Sequence, residues 1–480
     1  MKKLCGLLAG LAMVLTAATA AAETVAGLPV HVQKLGEGIV RVWVGDSISS
    51  TATTAFATQK GILVVDTTGI PVVDRALRGV IARELERDDF TTLVNTHEHG
   101  DHTGGNAVYA DCEIVGHELV AAGVNEALAD RGRVLEWYAN GIPEAEARLA
   151  ALPADDPSLP SLREDLALDR LNREVLLSGE QAPPPTRTFA DRLTLDMGDT
   201  TFELYYTGGM HTASDIAVFV PRHGILMTGD TMSDRWLTDT PGCLASFIAR
   251  PGVRHDFPKL LRNWEHLVQQ KDRIRLLLTG HWNGELSFAG FAARVGYVRT
   301  LWDGVQAAVA QGATLESLFA TFALDARFPE LAQSPGFNRN NHAMTLMELW
   351  SVTSGQTSAA DRLYALIDEG AGEAAVREVV ASRGAEPARY FFMEAQLNAY
   401  GYRFLQAGRA PQAVAMFRAY ADLFPQSWNA YDSLGEGLLA AGDTGGAVAM
   451  YEKSLELNPG NTNGRDVLAR IRGGGATATQ

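Results

Sequence analysis

The sequence predicts an α/β domain followed by an all-α domain. From about residue 27 to 274, short β-branched runs alternate with segments of helical spacing, a pattern that favours sheets covered by helices. From Val295 onward the signals are almost entirely helical. The chain has 480 residues and is 46% hydrophobic, so it can bury at least one large core. This composition excludes the disordered, collagen-like and fibrous classes.

Residues 1–22 have the pattern of a secretory signal peptide. A lysine pair precedes an apolar run at residues 4–18, and three alanines at 20–22 give an A-x-A-like cleavage site before Glu23. The run is shorter than the roughly 20 residues that span a bilayer, and no later stretch is long enough. An uncleaved anchor is the alternative. We therefore expect a periplasmic or secreted protein without stable membrane insertion.

Charge and cysteine content exclude two further classes. Forty-one Lys and Arg face 57 Asp and Glu, and the net charge of -16 argues against nucleic acid as a partner. Outside the signal peptide only Cys112 and Cys243 remain, so the fold does not rest on a disulfide framework. The two thiols either pair in an oxidising compartment or stay free.

The α/β part begins with a strand, helix, strand unit. Apolar runs at 61–66 and 91–95 are predicted strands, and residues 72–87 between them carry helical spacing. Four later strands are predicted at 202–206, 215–220, 224–228 and 274–278. Between 118 and 180 the spacing becomes helical, and prolines at 183–185 end it. This insertion is either a lid over a site or a helical pair packed on the sheet.

Near the C terminus, five positions recur with a spacing of 34 residues. The residues Gly401, Gly408, Ala413, Phe417 and Pro425 recur as Gly435, Gly442, Ala447, Tyr451 and Pro459. Small residues at helix crossings, an aromatic residue in the second helix and a proline after it resemble tetratricopeptide (TPR) repeats, which have this period. Two repeats are fewer than the roughly three needed to stand alone, so we expect the pair to pack on helices within residues 359–395.

The segment Thr-His-Glu-His-Gly-Asp-His at 96–102 follows the predicted strand 91–95 directly. Three imidazoles and the Asp101 carboxylate fall within six residues, a density that packing rarely requires. His97 and His99 can reach one ion from one side of the turn. Asp101 and His102 can point at a second ion. Nitrogen and carboxylate ligands together suit zinc, with iron and manganese as alternatives.

Further candidate ligands follow later strands. His211 lies in Gly-Gly-Met-His-Thr, Asp230 in Thr-Gly-Asp-Thr and His281 in Thr-Gly-His. From about residue 27 to 283 the ordered set resembles the metallo-β-lactamase superfamily, with all seven expected ligand positions filled. That set is His97, His99, Asp101, His102, His211, Asp230 and His281.

The resemblance implies an αβ/βα sandwich with a dinuclear site between its sheets. By the family pattern, His97, His99 and His211 hold the first metal, Asp101, His102 and His281 hold the second, and Asp230 bridges both. Asp66 supports the metal loop without binding metal. Two zinc ions sharing a water would lower its pKa from 15.7 towards about 7 and yield a bridging hydroxide as the nucleophile. Asp101 then has a catalytic role as well, because it can orient that hydroxide.

Subfamily details point in two directions. The stretch from His211 to Pro221 resembles true β-lactamases of the first subclass. In contrast, Asp230 stands where those enzymes carry a cysteine, and the Asp-bridged set is the pattern of glyoxalase II, lactonases and general hydrolases. Alkylsulfatases share related motifs and a C-terminal extension, but they usually carry additional carboxylates in the metal site. The resemblance therefore favours general acyl hydrolysis.

The expected function is an exported dinuclear zinc hydrolase that cleaves an ester, thioester, lactone or lactam-type bond of a small-molecule substrate. Residues 230–258 carry few cations, which disfavours polyanionic substrates. The alternatives are β-lactamase-like or alkylsulfatase-like activity, or a binding protein with a vestigial metal domain. In every case the TPR-like part can bind a peptide or a second copy of the chain.

The predicted organisation has five parts. They are a signal peptide (1–22), a metallo-β-lactamase-like domain (23–300) with its helical insertion (118–180), a helical connecting region (301–395), TPR-like repeats (396–472) and a disordered tail (473–480).

Overall fold

The computed structural model describes residues 23–47, 50–129, 131–232, 255–282, 287–329, 332 and 339–474. The described residues divide into two compact units, the first ending at Gly296 and the second beginning at Tyr297. The predicted signal peptide and Cys243 lie outside the described residues, whereas Cys112 is a buried free thiol.

The first unit contains an eight-stranded sheet in the order β1 to β8. Its strands are Thr24–Val25, Leu28–Gly36, Ile39–Val44, Thr53–Thr58, Gly61–Val65, Phe90–Val94, Glu113–His117 and Arg187–Phe189. Pairing is antiparallel from β1 to β5 and parallel from β5 to β8. All five residues of β5 are buried, which is typical of a strand covered on both faces.

A second sheet has five strands in the order β13-β12-β11-β10-β9. Strands β9 to β13 are Arg192–Asp196, Thr201–Tyr206, Ile216–Val220, Ile225–Met227 and Leu276–Leu278. Only β12 and β13 run parallel, and the other pairs are antiparallel. Strands β10 to β13 correspond to the four later strands that the sequence predicts.

The two sheets pack face to face with helices outside. Leu63 and Val65 of β5 share a buried cluster with second-sheet residues such as Phe202. Val64 points the other way, into a cluster that includes Leu77 of helix α1 (Pro71–Leu85). This alternation is the two-residue period of a strand. The predicted αβ/βα sandwich is therefore the observed architecture.

Three helices form the insertion predicted at 118–180: α3 (Val120–Ala129), α4 (Arg131–Ala151) and α5 (Leu159–Ser178). Leu171 and Val175 of α5 pack against the hydrophobic cluster that contains α1. The insertion therefore has one helix anchored on the sandwich core.

Four further helical segments belong to the first unit. Helix α2 (Gly100–Thr103) carries part of the histidine motif, and α6 (Phe257–Val268) buries Leu260, Leu261 and Trp264. Two short 3-10 helices lie at Asn106–Tyr109 and Lys271–Arg273. Helix α7 (Phe288–Ala310) crosses from the first unit into the second.

The second unit is helical apart from a short parallel pair, Thr357–Ser358 with Tyr390–Phe391. Its further helices are Leu315–Thr321, Leu324–Arg327, Arg339–Ser354, Ala359–Asp368, Glu373–Ala385, Glu394–Gln406, Ala410–Leu423, Trp428–Ala440, Thr444–Leu457 and Thr462–Gly474. The last helix includes the first two residues of the predicted tail, and the other tail residues lie outside the described range. Among the described residues, no helix is long and apolar enough to cross a membrane.

Two successive helical hairpins in this unit have matching bounds. Glu394–Gln406 and Ala410–Leu423 are followed 34 residues later by Trp428–Ala440 and Thr444–Leu457. A Cβ at Gly401 would lie 2.1 Å from Phe417 in the first hairpin, and one at Gly435 would lie 2.9 Å from Tyr451 in the second, so each aromatic ring packs closely on its glycine. One hydrophobic cluster joins both hairpins to helices Ala359–Asp368 and Glu373–Ala385, as the sequence predicts.

Candidate metal centre

Loops at the ends of strands from both sheets converge at one edge of the sandwich. His97 and His99 follow β6, and α2 then carries Asp101 and His102. His211 lies in the loop between β10 and β11. Asp230 follows β12, and His281 follows β13. All seven predicted site residues are therefore brought together, in two adjacent groups.

The first group consists of three histidines. One ring nitrogen from each of His97, His99 and His211 lies within 4.8 Å of the others. Nδ1 of His99 is 3.0 Å from Nε2 of His211. His97 and His211 are buried, whereas His99 is partly exposed.

The second group adds carboxylates. Oδ2 of Asp230 lies 3.1 Å from Nε2 of His281 and 3.4 Å from Nε2 of His102. Oδ2 of Asp101 lies 3.4 Å from the same His102 atom. The same Asp230 oxygen is only 3.7 Å from Nε2 of His211, so it lies between the two groups.

These separations fit metal ligation. Two donors in one tetrahedral zinc shell lie about 3.3 Å apart when each is about 2.0–2.1 Å from the ion. In the described part of the chain, Nε2 of His97, Nε2 of His102 and Oδ1 of Asp230 are buried without a hydrogen-bond partner. An unpaired buried polar atom costs about 1–3 kcal/mol, so three of them in one place indicate a site for an ion.

The second group holds strongly coupled charges when no metal is bound. Burial lowers the pKa of His102, but the carboxylates of Asp230, Asp101 and Asp66 outweigh burial and raise this pKa well above its usual value. For Asp230, burial raises the pKa, but His281 and His102 hold it well below its usual range. His102 therefore carries a proton in the metal-free protein, and a metal ion must displace it.

Asp66 orients His102 from behind. Its Oδ2 lies 3.0 Å from Nδ1 of His102 and accepts a 2.7 Å hydrogen bond from the hydroxyl of Thr96, while its Oδ1 accepts from the Thr96 amide. Once a metal displaces the additional proton of His102, an acceptor at Nδ1 keeps the remaining proton there and leaves the Nε2 lone pair facing Asp101 and Asp230. Asp66 has a φ of 60°, a left-handed conformation that Asp and Asn tolerate better than most residues.

Two carboxylates, buried Asp215 and half-buried Glu98, hold the loop that carries His211. Oδ2 of Asp215 accepts hydrogen bonds from the amides of Met210, His211 and Thr212. Glu98 accepts from the amide and hydroxyl of Ser214. The motif thus fixes the His211 loop as well as contributing its own histidines.

The His281 loop is positioned by residues that the sequence analysis missed. Arg41 is buried, and its Nη2 donates to the carbonyls of Thr279 at 2.7 Å and His281 at 2.8 Å. A Cβ at Gly280 would lie 2.2 Å from Oδ1 of Asp230, so only glycine fits. A charged residue inside the apolar strand Ile-Val-Arg-Val-Trp-Val was the available signal for Arg41.

Glycines directly after the motif are required by close packing. A Cβ at Gly104 would lie 2.6 Å from the carbonyl oxygen of Gly69, and one at Gly105 would lie 2.0 Å from Oδ2 of Asp74. Neither glycine has a positive φ. The tight turn after the motif therefore depends on space more than on backbone conformation.

A cavity of about 140 Å³ lies beside Asp101. One face of α5 forms part of its wall through Asp165, Leu168, Asp169 and Asn172, the i, i+3, i+4, i+7 spacing of one helix face. The Asp101 side chain is 46% exposed, and Thr51 donates a long 3.4 Å hydrogen bond to its Oδ2. The insertion therefore both packs on the core and lines the cavity next to the candidate ligands.

Trp282 and Asn283 follow His281, and Arg235 and Trp236 follow Asp230, so the sequence offers them as pocket residues beside the remaining histidines. Within the described range, neither ligand group includes a histidine outside the predicted set. Trp282 stacks on Trp43 and donates to the Ser47 carbonyl, and it does not line the cavity. Asn283, Arg235 and Trp236 lie outside the described residues.

Residues 49–281 match the model of the metallo-β-lactamase superfamily. The alpha subunit of 2,4-dinitroanisole O-demethylase from Nocardioides sp. (strain JS1661) is 26% identical over 196 residues, covering 40% of this chain. This chain spans 44% of that relative's length.

Two solved structures are similar at low sequence identity. A metallo-β-lactamase from Pontibacter korlensis has a TM-score of 0.36 and 17% identity, covering 55% of this chain and 98% of its own. A stereoselective inverting sec-alkylsulfatase from Pseudomonas sp. has a TM-score of 0.45 and 12% identity, covering 90% of this chain and 66% of its own. The family match, the sandwich topology and the two ligand groups agree. The first unit of this chain therefore contains a metallo-β-lactamase superfamily domain.

Proposed function

We propose that the first unit is a dinuclear zinc hydrolase that cleaves an acyl bond in a small molecule. The observation that carries the proposal is the pair of ligand groups that meet at Asp230, whose Oδ2 is 3.1 Å from His281 and 3.7 Å from His211. The superfamily consists mostly of metal-dependent hydrolases. Seven ligands also exceed the three or four that a single zinc ion uses.

His97, His99 and His211 would hold one ion, and Asp101, His102 and His281 the other, with Asp230 shared. Two divalent ions bound there would lower the pKa of water to near 7 and polarise the oxygen of the scissile group.

Two carboxylates of the chain contribute directly. Asp66 keeps the proton of His102 on Nδ1, so that the lone pair of Nε2 can bind metal. Burial raises the pKa of Asp101, but His102 and His281 hold it well below its usual range, so the carboxylate is ionised. Its exposed side faces the cavity, where it can accept a hydrogen bond from the attacking water and orient it.

The charges around the cavity favour acyl substrates over phosphodiesters and sulfate esters. Among the described residues that line the cavity there is no lysine or arginine, whereas Asp165 and Asp169 both contribute. Phosphodiesters and sulfate esters are anionic and require positive side chains or helix N-termini close to the reacting group. An ester, thioester, lactone or lactam-type bond makes no such demand.

The experiment is a substrate screen on protein with defined metal content. Metal-free and zinc-loaded forms are assayed against ester, thioester, lactone, β-lactam, sulfate and phosphate substrates. We expect zinc-dependent cleavage of an acyl substrate that chelation abolishes. Turnover of only sulfate or phosphate substrates would refute the acyl assignment, and a zinc-free form with full activity would refute the metal mechanism.

We also propose that the second unit contains TPR-like repeats that bind a peptide or a second copy of the chain. The matching bounds of the two hairpins and the repeated glycine–aromatic contacts support this proposal. Sedimentation of the full chain with and without candidate peptides tests it. Export through cleavage near Glu23 remains a further proposal, which N-terminal mass spectrometry of protein from an exporting host tests.

A further inference from the structure

The cavity beside Asp101 is acidic on the side formed by the insertion. Asp165 and Asp169 are one helical turn apart on α5, and both line the cavity with Asp101. Oδ1 of Asp165 accepts a 2.5 Å hydrogen bond from the hydroxyl of Ser47, which holds the helix against the loop after β3. Three carboxylates therefore share a volume of about 140 Å³.

No cation of the described chain neutralises the pair on α5. Neither Asp165 nor Asp169 forms an ion pair with a lysine or arginine in the described ranges, although other acids on the insertion do, as Glu146 does with Arg170. Burial and the neighbouring Asp165 carboxylate raise the pKa of Asp169. Holding two partly buried carboxylates side by side costs free energy unless a cation joins them.

Of the eight other lining residues, four are apolar and four carry hydrogen-bonding side chains. Ser50, Thr51 and Thr68 contribute hydroxyl groups, and Asn172 contributes an amide. Ser50 is only 5% exposed, and its Oγ has no hydrogen-bond partner among the described residues. No aromatic side chain of the described chain lines the cavity, so it lacks the aromatic cage that quaternary ammonium groups prefer. Acceptors around a small volume suit a protonated amine, which has three hydrogens to donate.

We propose that this cavity is a specificity subsite in which Asp165 and Asp169 bind the protonated primary amine of the substrate, next to the reacting centre at Asp101. The inference rests on the proposed acyl hydrolysis and names its substrate class: acyl compounds that carry an ammonium group. Asp165 and Asp169 are not positioned as ligands of the metal centre. The two groups of potential metal ligands in the described chain include neither residue.

The experiment compares three matched esters at pH 7 with the zinc-loaded full chain. They are 4-nitrophenyl 6-aminohexanoate, the heptanoate that replaces nitrogen by carbon, and the pimelate monoester that carries a carboxylate. The variants are Asp165→Asn with Asp169→Asn, and the control Glu174→Gln, which changes an exposed acid on the same helix. Binding of n-butylammonium, measured by calorimetry, provides a readout independent of hydrolysis.

We expect kcat/KM for the amino ester to exceed that for the heptanoate by about ten- to a hundredfold, the range for a charge-assisted hydrogen bond. The double variant should remove both this preference and the butylammonium binding. The Glu174→Gln control should behave like the wild type.

Three other outcomes have separate meanings. The subsite proposal is wrong if the heptanoate or pimelate ester is cleaved as fast as the amino ester, or if the preference survives in the double variant. Either result leaves the proposed acyl hydrolysis standing. Absence of all ester cleavage, with butylammonium binding that the double variant abolishes, overturns the acyl function and supports the subsite. Calcium binding in place of butylammonium would show an inorganic cation site and overturn the proposal.

Discussion

Replacing Asp66 with asparagine tests how the chain prepares His102 for metal. The substitution keeps the size of the side chain, and asparagine, like aspartate, tolerates the φ of 60° found here. The oxygen of the new amide can still accept from the Thr96 amide, but an NH₂ group replaces the Asp66 oxygen that lies 3.0 Å from His102 Nδ1. His102 must then accept at Nδ1 and carry its proton on Nε2, the atom that should bind metal.

The expected magnitude follows from that tautomer change. Loss of the outer hydrogen-bond partner of a metal-binding histidine lowers metal affinity by about 10- to 100-fold. This factor corresponds to about 1.4–2.7 kcal/mol. The second ion should be affected most, because His102 contacts this Asp66 oxygen directly, whereas His97 is linked to it only through the Thr96 hydroxyl.

Zinc titration against a competing chelator measures the effect directly. The control Asp89→Asn changes an exposed acid and should bind zinc like the wild type. A second variant, Thr96→Val, removes the hydroxyl that donates to Asp66 and lies 3.1 Å from Nδ1 of His97, but it leaves the contact between Asp66 and His102. It should therefore affect the first ion more than the second, the reverse of Asp66→Asn. Unaltered affinity for both ions in Asp66→Asn would refute the reasoning.

Three further predictions concern the metal centre and the helical unit. Asp230→Ala should retain about one zinc per chain by elemental analysis, because the shared carboxylate is lost while the three-histidine group remains; two retained ions would contradict the bridging role. The pKa of His102 is raised in the metal-free fold. Its additional proton therefore stabilises this fold fully below about pH 6.5, and the stabilisation is lost as the pH rises through the raised pKa. The metal-free melting temperature should therefore fall, and affinity for the second zinc should rise, between pH 6 and 8; the opposite pH trends would be evidence against this charge coupling. Gly401→Ala should lower the melting temperature by a destabilisation of about 1–3 kcal/mol, because its Cβ would lie 2.1 Å from Phe417. Gly384→Ala meets no atom within 4 Å and should be neutral or stabilising, so equal effects of the two changes would argue against the tight packing.

Strands that position the candidate ligands have clearer sequence patterns than the other strands. Strands β5 and β11 are continuous buried apolar runs, so their type is clear without tertiary information. Strand β2 mixes exposed and half-buried residues, and its pattern is therefore weak. Strand β8 has three residues and exists because it pairs with β7, where Val115 faces Arg187 across a long sequence separation.

The candidate ligands could be predicted because each lies in the loop or short helix after a strand whose pattern is strong. The residues that position these ligands could not be predicted as fully, because they contact the ligand loops across long sequence separations. Arg41 reaches the carbonyl of Thr279, 238 residues away, and Gly280 is required by the oxygen of Asp230. The acidic face of α5 has ordinary helical spacing in sequence, and only the packing of the insertion places Asp169 near Asp101.

The most direct test of the dinuclear hydrolase is a zinc titration of metal-free protein followed by its hydrolysis of an acyl ester. The two ligand groups that meet at Asp230 predict that activity rises to a plateau at two equivalents of zinc per chain. A plateau at one equivalent, or hydrolysis that does not depend on added zinc, would contradict the account.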